Sequence, residues 1–386
     1  MLVAADDVVR QAVAFAQSHP ELLAALLITL VVLIGGGYVL HKFSRPLGVR
    51  FASVLAEYDH VTVLTHPNPD PDAMAAAMGV KSLAEQVGTQ ATIQFPGQIR
   101  HQENRAFRNV LEVDLDPIER ADDLESRDVI LVDHNEPRGF SGSETVQPAA
   151  VVDHHPGDGR GEVFTDVRTE YGACSSVIAE YFEDLDATPV PPENHESEIV
   201  STYVLPSHVA TGLFFGILTD TNRLTAGIDP ADFDASGYLS SGVDEGLLDR
   251  IANPQVSAET LEIKATAIRE RKVEGAFALS DVGDVSNVDA IPQAADELIL
   301  LEGVTAAIVY GTRNGMLYLS GRSRDDRVHM GRAIESALED VPNASGGGHA
   351  RMGGGQVPLD DGDDFVWPAR RTALTDRLWR ALEGDL

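Results

Sequence analysis

Short, uninterrupted apolar runs alternate along the chain with longer segments whose apolar residues recur at helical spacing. The clearest runs are Val61-Thr62-Val63-Leu64, Val129-Ile130-Leu131-Val132 and Ala149-Ala150-Val151-Val152. Runs of this length without polar alternation read as strands buried on both faces. Residues 72–88 read as a helix ending at Gly88, 90–95 as a strand and 104–113 as a further helix. Strand and helix alternating in this way predict a parallel α/β sheet. The proline- and acid-rich stretch 186–206 reads as a surface loop or insertion. A helix from Ser207 follows, and its apolar run Gly212 to Leu218 leads into Thr219-Asp220-Thr221-Asn222. Residues 230–272 read as mostly helical. Strands then resume at Thr305 to Tyr310 and Met316 to Ser320, with Arg313-Asn314-Gly315 as a hairpin turn between them. A helix over Met330 to Val341 and an amphipathic tail helix over Pro368 to Leu382 complete the pattern. The expected organisation is an N-terminal segment (1–45), an α/β domain (51–250), a helical connection (251–274) and a smaller α/β domain (275–386).

One run differs in kind. Leu22 to Leu40 (LLAALLITLVVLIGGGYVL) carries no charge, and at about 1.5 Å per residue it just crosses a hydrocarbon core of about 30 Å. Asp6, Asp7 and Glu21 precede it, and Lys42, Arg45 and Arg50 follow. The positive-inside rule then places the amino terminus outside and the rest of the chain in the cytoplasm, as a single-pass membrane protein. A cleaved signal peptide fits less well, because the start is not basic and no A-x-A-like site follows.

Composition adds two constraints. Asp and Glu number 61 against 29 Lys and Arg, a formal net charge of -32, yet 43% of residues are hydrophobic, so this is no disordered acidic tail. Lysine occurs only at 42, 81, 264 and 272. Such a surface suits a salt-loaded cytoplasm, as in a halophile, where about 1 M salt shortens the Debye length to about 3 Å. The single cysteine, Cys174, excludes an intrachain disulfide and any multi-cysteine metal site. Its small neighbours mark it as a packed core side chain.

The candidate chemistry sits where the apolar runs end. The first strand leads into Thr65-His66-Pro67-Asn68-Pro69-Asp70-Pro71-Asp72, the second into Asp133-His134-Asn135-Glu136 and the third into Asp153-His154-His155. In a parallel sheet the carboxyl ends of strands form the ligand-binding edge. The three prolines favour extended neighbours, so Asp70 and Asp72 are expected to project the same way; the alternative for Asp72 is the N-cap of the following helix. Asp220 joins them from a helix end. Oxygen-rich donors with imidazoles suit hard divalent ions such as manganese. Two cations about 3.5–4 Å apart clamp the attacking and leaving oxygens of a phosphoryl displacement.

His66-x-x-x-Asp70-x-Asp72, Asp133, Asp153-His154-His155 and Asp220 together resemble, in order, the four motifs of the DHH phosphoesterase superfamily. Ser320-Gly321-Arg322-Ser323 followed by Gly346-Gly347-Gly348-His349 resembles the DHH-associated carboxy-terminal domain. The resemblance covers about residues 51–360. It implies an active site in a cleft between the two domains and two Mn2+ ions, with Mg2+ or Co2+ as substitutes. His66, Asp70 and Asp133 would hold one ion; Asp72, Asp133, His154 and Asp220 the other, with Asp133 bridging. Asp153 would orient a histidine and His155 would face the substrate phosphate. Arg322 and His349 would grip that phosphate, helped by backbone N–H groups that Gly346, Gly347 and Gly348 leave uncovered.

Within that superfamily the reading is a phosphodiesterase for short oligonucleotides or linear or cyclic dinucleotides, with phosphoadenosine phosphate as a further substrate. Membrane-anchored cyclic dinucleotide enzymes of the family carry sensory modules for which residues 41–60 leave no room. An exonuclease of RecJ type would want a basic, aromatic track, so no long nucleic acid is expected. Inorganic pyrophosphatase is the rival reading: Asp133-His134-Asn135-Glu136 resembles its second motif, but its lysine-rich phosphate motif is missing. A non-catalytic membrane-tethered nucleotide sensor is the reading from another class, and it would be expected to lose ligands. The expected partners are a small nucleotide, the membrane and a second copy in a homodimer.

Overall fold

The computed structural model describes Thr29 and residues 45–384, apart from 100, 195–200, 326 and 360–366. The proposed membrane span, Leu22 to Leu40, lies outside the described residues except for Thr29. Among the described residues no helix is long and apolar enough to cross a membrane. The chain divides between Asn253 and Pro254 into two units.

In the first unit the apolar runs form β1 (His60–Leu64), β2 (Gln90–Pro96), β3 (Asp116–Ile118), β4 (Val129–Val132), β5 (Pro148–Asp153) and β6 (Phe164–Val167). They make one parallel sheet in the order β3-β2-β1-β4-β5-β6. The order reverses between β1 and β4, a switch point at which the loops leaving neighbouring strands diverge and open a crevice. Among the described residues seven α-helices accompany the sheet: α1 (Leu47–Leu55), α2 (Pro71–Gln86), α3 (Gln102–Val110), α4 (Cys174–Asp184), α5 (Ser207–Asp220), α6 (Pro230–Leu239) and α7 (Glu245–Ala252). The strands are apolar throughout because both faces are covered. Val61, Val63, Ile130, Val132 and Val152 point into the main helical core. Leu64, Val129, Leu131 and Val151 point the other way, onto Ile118, Leu124 and Phe140. The stretch 186–206, expected as a loop, contributes a two-residue parallel ladder, β7 (Thr188–Pro189) with β8 (Val204–Leu205).

The stretch 251–274, expected as a connection, is shared between the units. Ile251 closes the first core, whereas α8 (Ala258–Glu270) buries Ile263 and Ala267 in the core of the second. That second unit is a mixed sheet of β9 (Lys272–Glu274), β10 (Phe277–Asp284), β11 (Ala306–Arg313), β12 (Met316–Ser323), β13 (Ser345–Gly348) and β14 (Met352–Pro358). Its strand order is β13-β14-β12-β11-β10-β9. Helices α9 (Ala290–Leu298), α10 (Met330–Leu338) and α11 (Trp367–Glu383) complete it. Alternation along β11 serves two cores: Ala307 and Val309 face α8 and α9, while Ile308 and Tyr310 face α10 and α11. Asn314 and Gly315 both take positive φ, as a two-residue hairpin turn demands.

The glycine motif differs from its expectation. Gly346, Gly347 and Gly348 do not leave all their N–H groups uncovered but form β13, paired with Gly355, Gly354 and Gly353 of β14. A Cβ on Gly346 or Gly355 would lie 2.7–2.8 Å from Leu338, and one on Gly331 only 2.2 Å from the Gly348 carbonyl oxygen. The glycines therefore let α10 lie directly on the hairpin. Pairing engages the inner face of β13; only the outward N–H groups of this edge strand are uncovered.

Candidate metal centre

Every ligand candidate of the first unit is delivered by a strand end or by a helix that packs across the switch point. After β1 the chain turns through Asn68, at φ 57. Asp70 caps α2, its Oδ1 accepting from the Ala73 N–H at 3.1 Å, with Pro71 opening the helix. Asp70, rather than Asp72, is thus the N-cap, and the two carboxylates do not face the same partners. Asp72 lies in the first helical turn, fully buried. It accepts from the backbone N–H groups of Cys174 (2.7 Å) and Ser175 (2.8 Å) at the start of α4, where the helix dipole favours an anion.

Asp133 follows β4 with φ 61, a costly conformation for a residue with a side chain, and its N–H is held by the Val152 carbonyl at 3.0 Å. The turn aims a fully buried carboxylate into the crevice. Its Oδ2 lies 3.3 Å from His66 Nε2, and its Oδ1 lies 3.2 Å from His154 Nε2. His66 Nε2 is also 3.6 Å from Asp70, and His154 Nε2 is 3.9 Å from Asp72 and 3.6 Å from Asp220. Asp220 reaches the cluster from the last residue of α5.

Two sets of side chains result, His66–Asp70–Asp133 and Asp72–His154–Asp220, each with its donor atoms within 4.8 Å of one another. Asp133 touches both. A third set, Asp133–His154–His155, overlaps them.

Both histidine tautomers are legible. His66 Nδ1 lies 3.0 Å from the Pro67 carbonyl and His154 Nδ1 3.1 Å from the Tyr171 carbonyl. A carbonyl only accepts, so each Nδ1 carries hydrogen and each neutral ring turns the Nε2 lone pair toward the carboxylates. Both oxygens of Asp133, and Nε2 of His154, are buried without a hydrogen-bond partner. Bare buried polar atoms cost several kcal/mol in total, and cations between the two sets would satisfy all three. Four carboxylates and two imidazoles suit Mn2+, Mg2+ or Co2+.

Titration tells the same story. Burial, then the Asp133 carboxylate, push Asp72 up to about 7. Burial, then Asp72, Asp70 and Asp133, push Asp220 up to about 9. Burial opposes charge on the histidines, yet the neighbouring carboxylates raise His66 to about 11 and His154 to about 10. Burial would raise Asp133 too, but the two imidazoles hold it well below the usual carboxylate range. Without a cation, protons hold the cluster together.

Asp153 stands apart from the bare atoms. Fully buried at the end of β5, it accepts from the N–H groups of His154 (2.8 Å) and His155 (3.1 Å), from His155 Nδ1 (3.0 Å) and from Asn135 Nδ2 (2.6 Å). Its oxygens are thus engaged by protein donors. His155 is half-exposed, and its hydrogen bond to Asp153 raises its pKa.

Several participants were invisible in the sequence. Asn135 braces Asp153, and the Tyr171 carbonyl orients His154. Gly216, one turn before Asp220, lets α5 lie against Asp72. Only Asn135 left a signal, in the run with Asp133. Cys174 is a buried core side chain as expected, but its backbone N–H is what the site uses. His134 is buried with Nδ1 on the Val132 carbonyl at 2.9 Å, and burial lowers it to about 4.

In the second unit, Arg322 is engaged internally. Its guanidinium bonds Asp296 on α9 (2.5 Å), the Ser320 hydroxyl and the Gly321 carbonyl. The His349 ring is exposed, while its backbone holds the β13–β14 turn and the start of α10.

Comparison with known proteins gives two domain matches. The N-terminal domain of the DHH family matches residues 60–217, and the DHHA1 domain matches residues 274–373. The chain thus carries a match to the DHH N-terminal domain followed by a match to the DHHA1 domain. An uncharacterized protein of Methanocaldococcus jannaschii is 35% identical over 77% of this chain and 58% of its own length. The cyclic-di-AMP phosphodiesterase GdpP of Geobacillus thermodenitrificans is 27% identical, over 81% of this chain and 47% of its own length. The cyclic-di-AMP phosphodiesterase PdeA of Listeria monocytogenes is 24% identical, over 72% and 43%. The chain thus spans about half the length of these relatives. Among solved structures, an exopolyphosphatase-related protein from Bacteroides fragilis superposes with a TM-score of 0.58 at 15% identity, over 86% of this chain and 97% of that one. The two share a fold.

Proposed function

We propose that this chain is a manganese-dependent phosphodiesterase of the DHH family that cleaves short oligonucleotides or linear or cyclic dinucleotides. The observation that carries the reading is Asp133, whose two bare oxygens each face a separate ligand set. His66, Asp70 and Asp133 would hold one ion, and Asp72, His154, Asp220 and Asp133 the other. The pair would neutralise the phosphate and clamp the attacking and leaving oxygens. Asp153, braced by Asn135, holds the backbone and ring of His155. His155 keeps its Nδ1 hydrogen on Asp153 and presents Nε2 outward to donate to a phosphate oxygen. In the second unit, the outward N–H groups of β13 and the His349 ring supply anion-binding donors, with Arg322 released from Asp296 on binding. The intact ligand set argues against a non-catalytic sensor. Relatives named for cyclic-di-AMP hydrolysis favour dinucleotides over pyrophosphate.

Leu22 to Leu40 would tether the enzyme as a single-pass membrane protein with its catalytic units on the cytoplasmic side, and the net charge of -32 suits high salt. The test is a substrate panel with the full chain in detergent, high salt and Mn2+: linear dinucleotides, cyclic di-AMP, phosphoadenosine phosphate, pyrophosphate and a longer single strand. Turnover of the dinucleotides is expected. Dominant release of phosphate from pyrophosphate would overturn the assignment.

A further inference from the structure

Asp232 lies on α6, outside every ligand set, yet its carboxylate is fully buried. Three donors converge on it through four hydrogen bonds. The Gly172 N–H reaches both oxygens (3.2 and 3.0 Å), the Ser176 hydroxyl reaches Oδ1 (2.6 Å) and the Asp229 N–H reaches Oδ2 (2.8 Å). Gly172 and Ser176 flank the turn that carries the chain from β6 into α4. That turn touches two members of one set and the chain neighbour of the third. The Tyr171 carbonyl fixes the ring of His154. The N–H groups of Cys174 and Ser175 hold Asp72. Gly172 packs against Thr221, the residue after Asp220, so closely that a Cβ there would lie 2.7 Å from its Cγ2. The same Cβ would lie 2.6 Å from Asp232 Oδ2. Glycine is required at 172 for space alone, since its φ is not positive.

We infer that Asp232 is a positioning residue for the Asp72–His154–Asp220 metal set. By clamping residues 171–176, it sets the direction of His154 Nε2 and the height of Asp72 together. It leaves the His66–Asp70 set, held by the loop after β1, to itself. The inference rests on the two-metal reading above and adds a selectivity that the reading does not contain: one set depends on Asp232 and the other does not.

The conservative variant Asp232→Asn keeps size and loses one acceptor, so N–H groups that met Oδ2 face an amide NH2. Gly172→Ala attacks the same contact from the other side. Stepwise Mn2+ binding to the full chain is followed by the electron paramagnetic resonance of free and bound ions, with melting temperature read without metal. Wild type is expected to bind two ions and to show the exchange-coupled signal of a close pair. Each variant is expected to keep one binding step within about twofold and to weaken the other by about tenfold or more, the range for losing an orienting partner. The coupled signal should then vanish at two equivalents. Two unchanged affinities, or equal weakening of both with a lowered melting temperature, would overturn the positioning role while leaving the two-metal reading intact. Wild type that binds no manganese would overturn that reading, and this inference with it.

Discussion

Gly216→Ala isolates the packing that brings Asp220 to the site. Gly216 is on α5, one turn before Asp220, and its missing Cβ would lie 2.3 Å from Ser175 Oγ, 3.0 Å from Asp72 Oδ1 and 3.1 Å from Asp72 Cα. Alanine gains about 1 kcal/mol in helix propensity. Against that, overpacking of this kind costs about 1–3 kcal/mol. The Ser175 hydroxyl has no hydrogen-bond partner and can swing aside. Asp72 cannot, because two backbone N–H groups hold it. The net loss of stability is therefore about 0–2 kcal/mol, and at about 2–4 °C per kcal/mol the melting temperature falls by at most about 8 °C. The larger effect is on catalysis: α5 is pushed off Asp72, and a displacement approaching 1 Å at Asp220 costs about 10²-fold in kcat. Gly237→Ala on α6 is the control, since a Cβ there meets nothing within 4 Å. It should stabilise slightly and leave kcat alone. Thermal melts and steady-state rates on the best dinucleotide decide the matter. If Gly216→Ala matches the control in both stability and rate, α5 does not seat Asp220 by close contact with Asp72, and the reasoning is wrong.

Asp133→Asn removes the shared carboxylate and should lower kcat by at least about 10²-fold while abolishing one of the two Mn2+ binding steps; retention of both would count against bridging. Asp153→Asn removes an acceptor from a group that takes four donors, so His155 loses its orientation; kcat should fall by about 10–100-fold with both ions still bound, and loss of metal instead would make Asp153 a ligand. Metal-free protein should lose stability as pH rises from 6 to 9. Asp72 and Asp220 have folded values raised to about 7 and about 9, so the folded state binds more protons than the unfolded one and stability drops through that window. His66 and His154, raised to about 11 and about 10, act in the same direction, their contribution being full below about 6.5 and lost toward their folded values. Loading with Mn2+ at pH 7.5 should then release about three protons, from His66, His154 and Asp220, measured by calorimetry in buffers of different ionisation heat. A melting temperature that climbs with pH, or binding without proton release, would contradict this account.

The parallel sheet and most members of the clustered side chains were legible because two simple rules overlap. Strands buried on both faces are continuous apolar runs, and a parallel sheet exposes its binding edge at their carboxyl ends. Asp133, Asp153 and His154 were therefore marked by position alone. Features that depend on contact between distant segments left no local trace. Asp72 finds its partners at residues 174 and 175, about a hundred positions away. Asp70 and Asp72 both satisfy the local rule for capping α2, and only the approach of α4 decides between them. The glycines misled for a related reason. Gly346 to Gly348 have low intrinsic preference for a strand, so their backbone N–H groups read as uncovered. Their pairing is chosen by α10, which can approach the hairpin only where side chains are missing.

The buried carboxylates of this unit also sort themselves by what they accept. Asp153 and Asp232 are saturated by protein donors, so their charge is spent on fixing backbone and has nothing left for an ion. Asp72 takes one N–H on each oxygen, held by a helix start yet retaining lone pairs toward the crevice. Asp133, buried like the others, takes none. In a chain of net charge -32, gathering such groups without a compensating cation would work against folding unless protons filled the gap. Donor saturation thus separates acids that position from acids that bind. By that measure Asp133 is, among the described residues, the one buried carboxylate that the protein leaves for something else to complete.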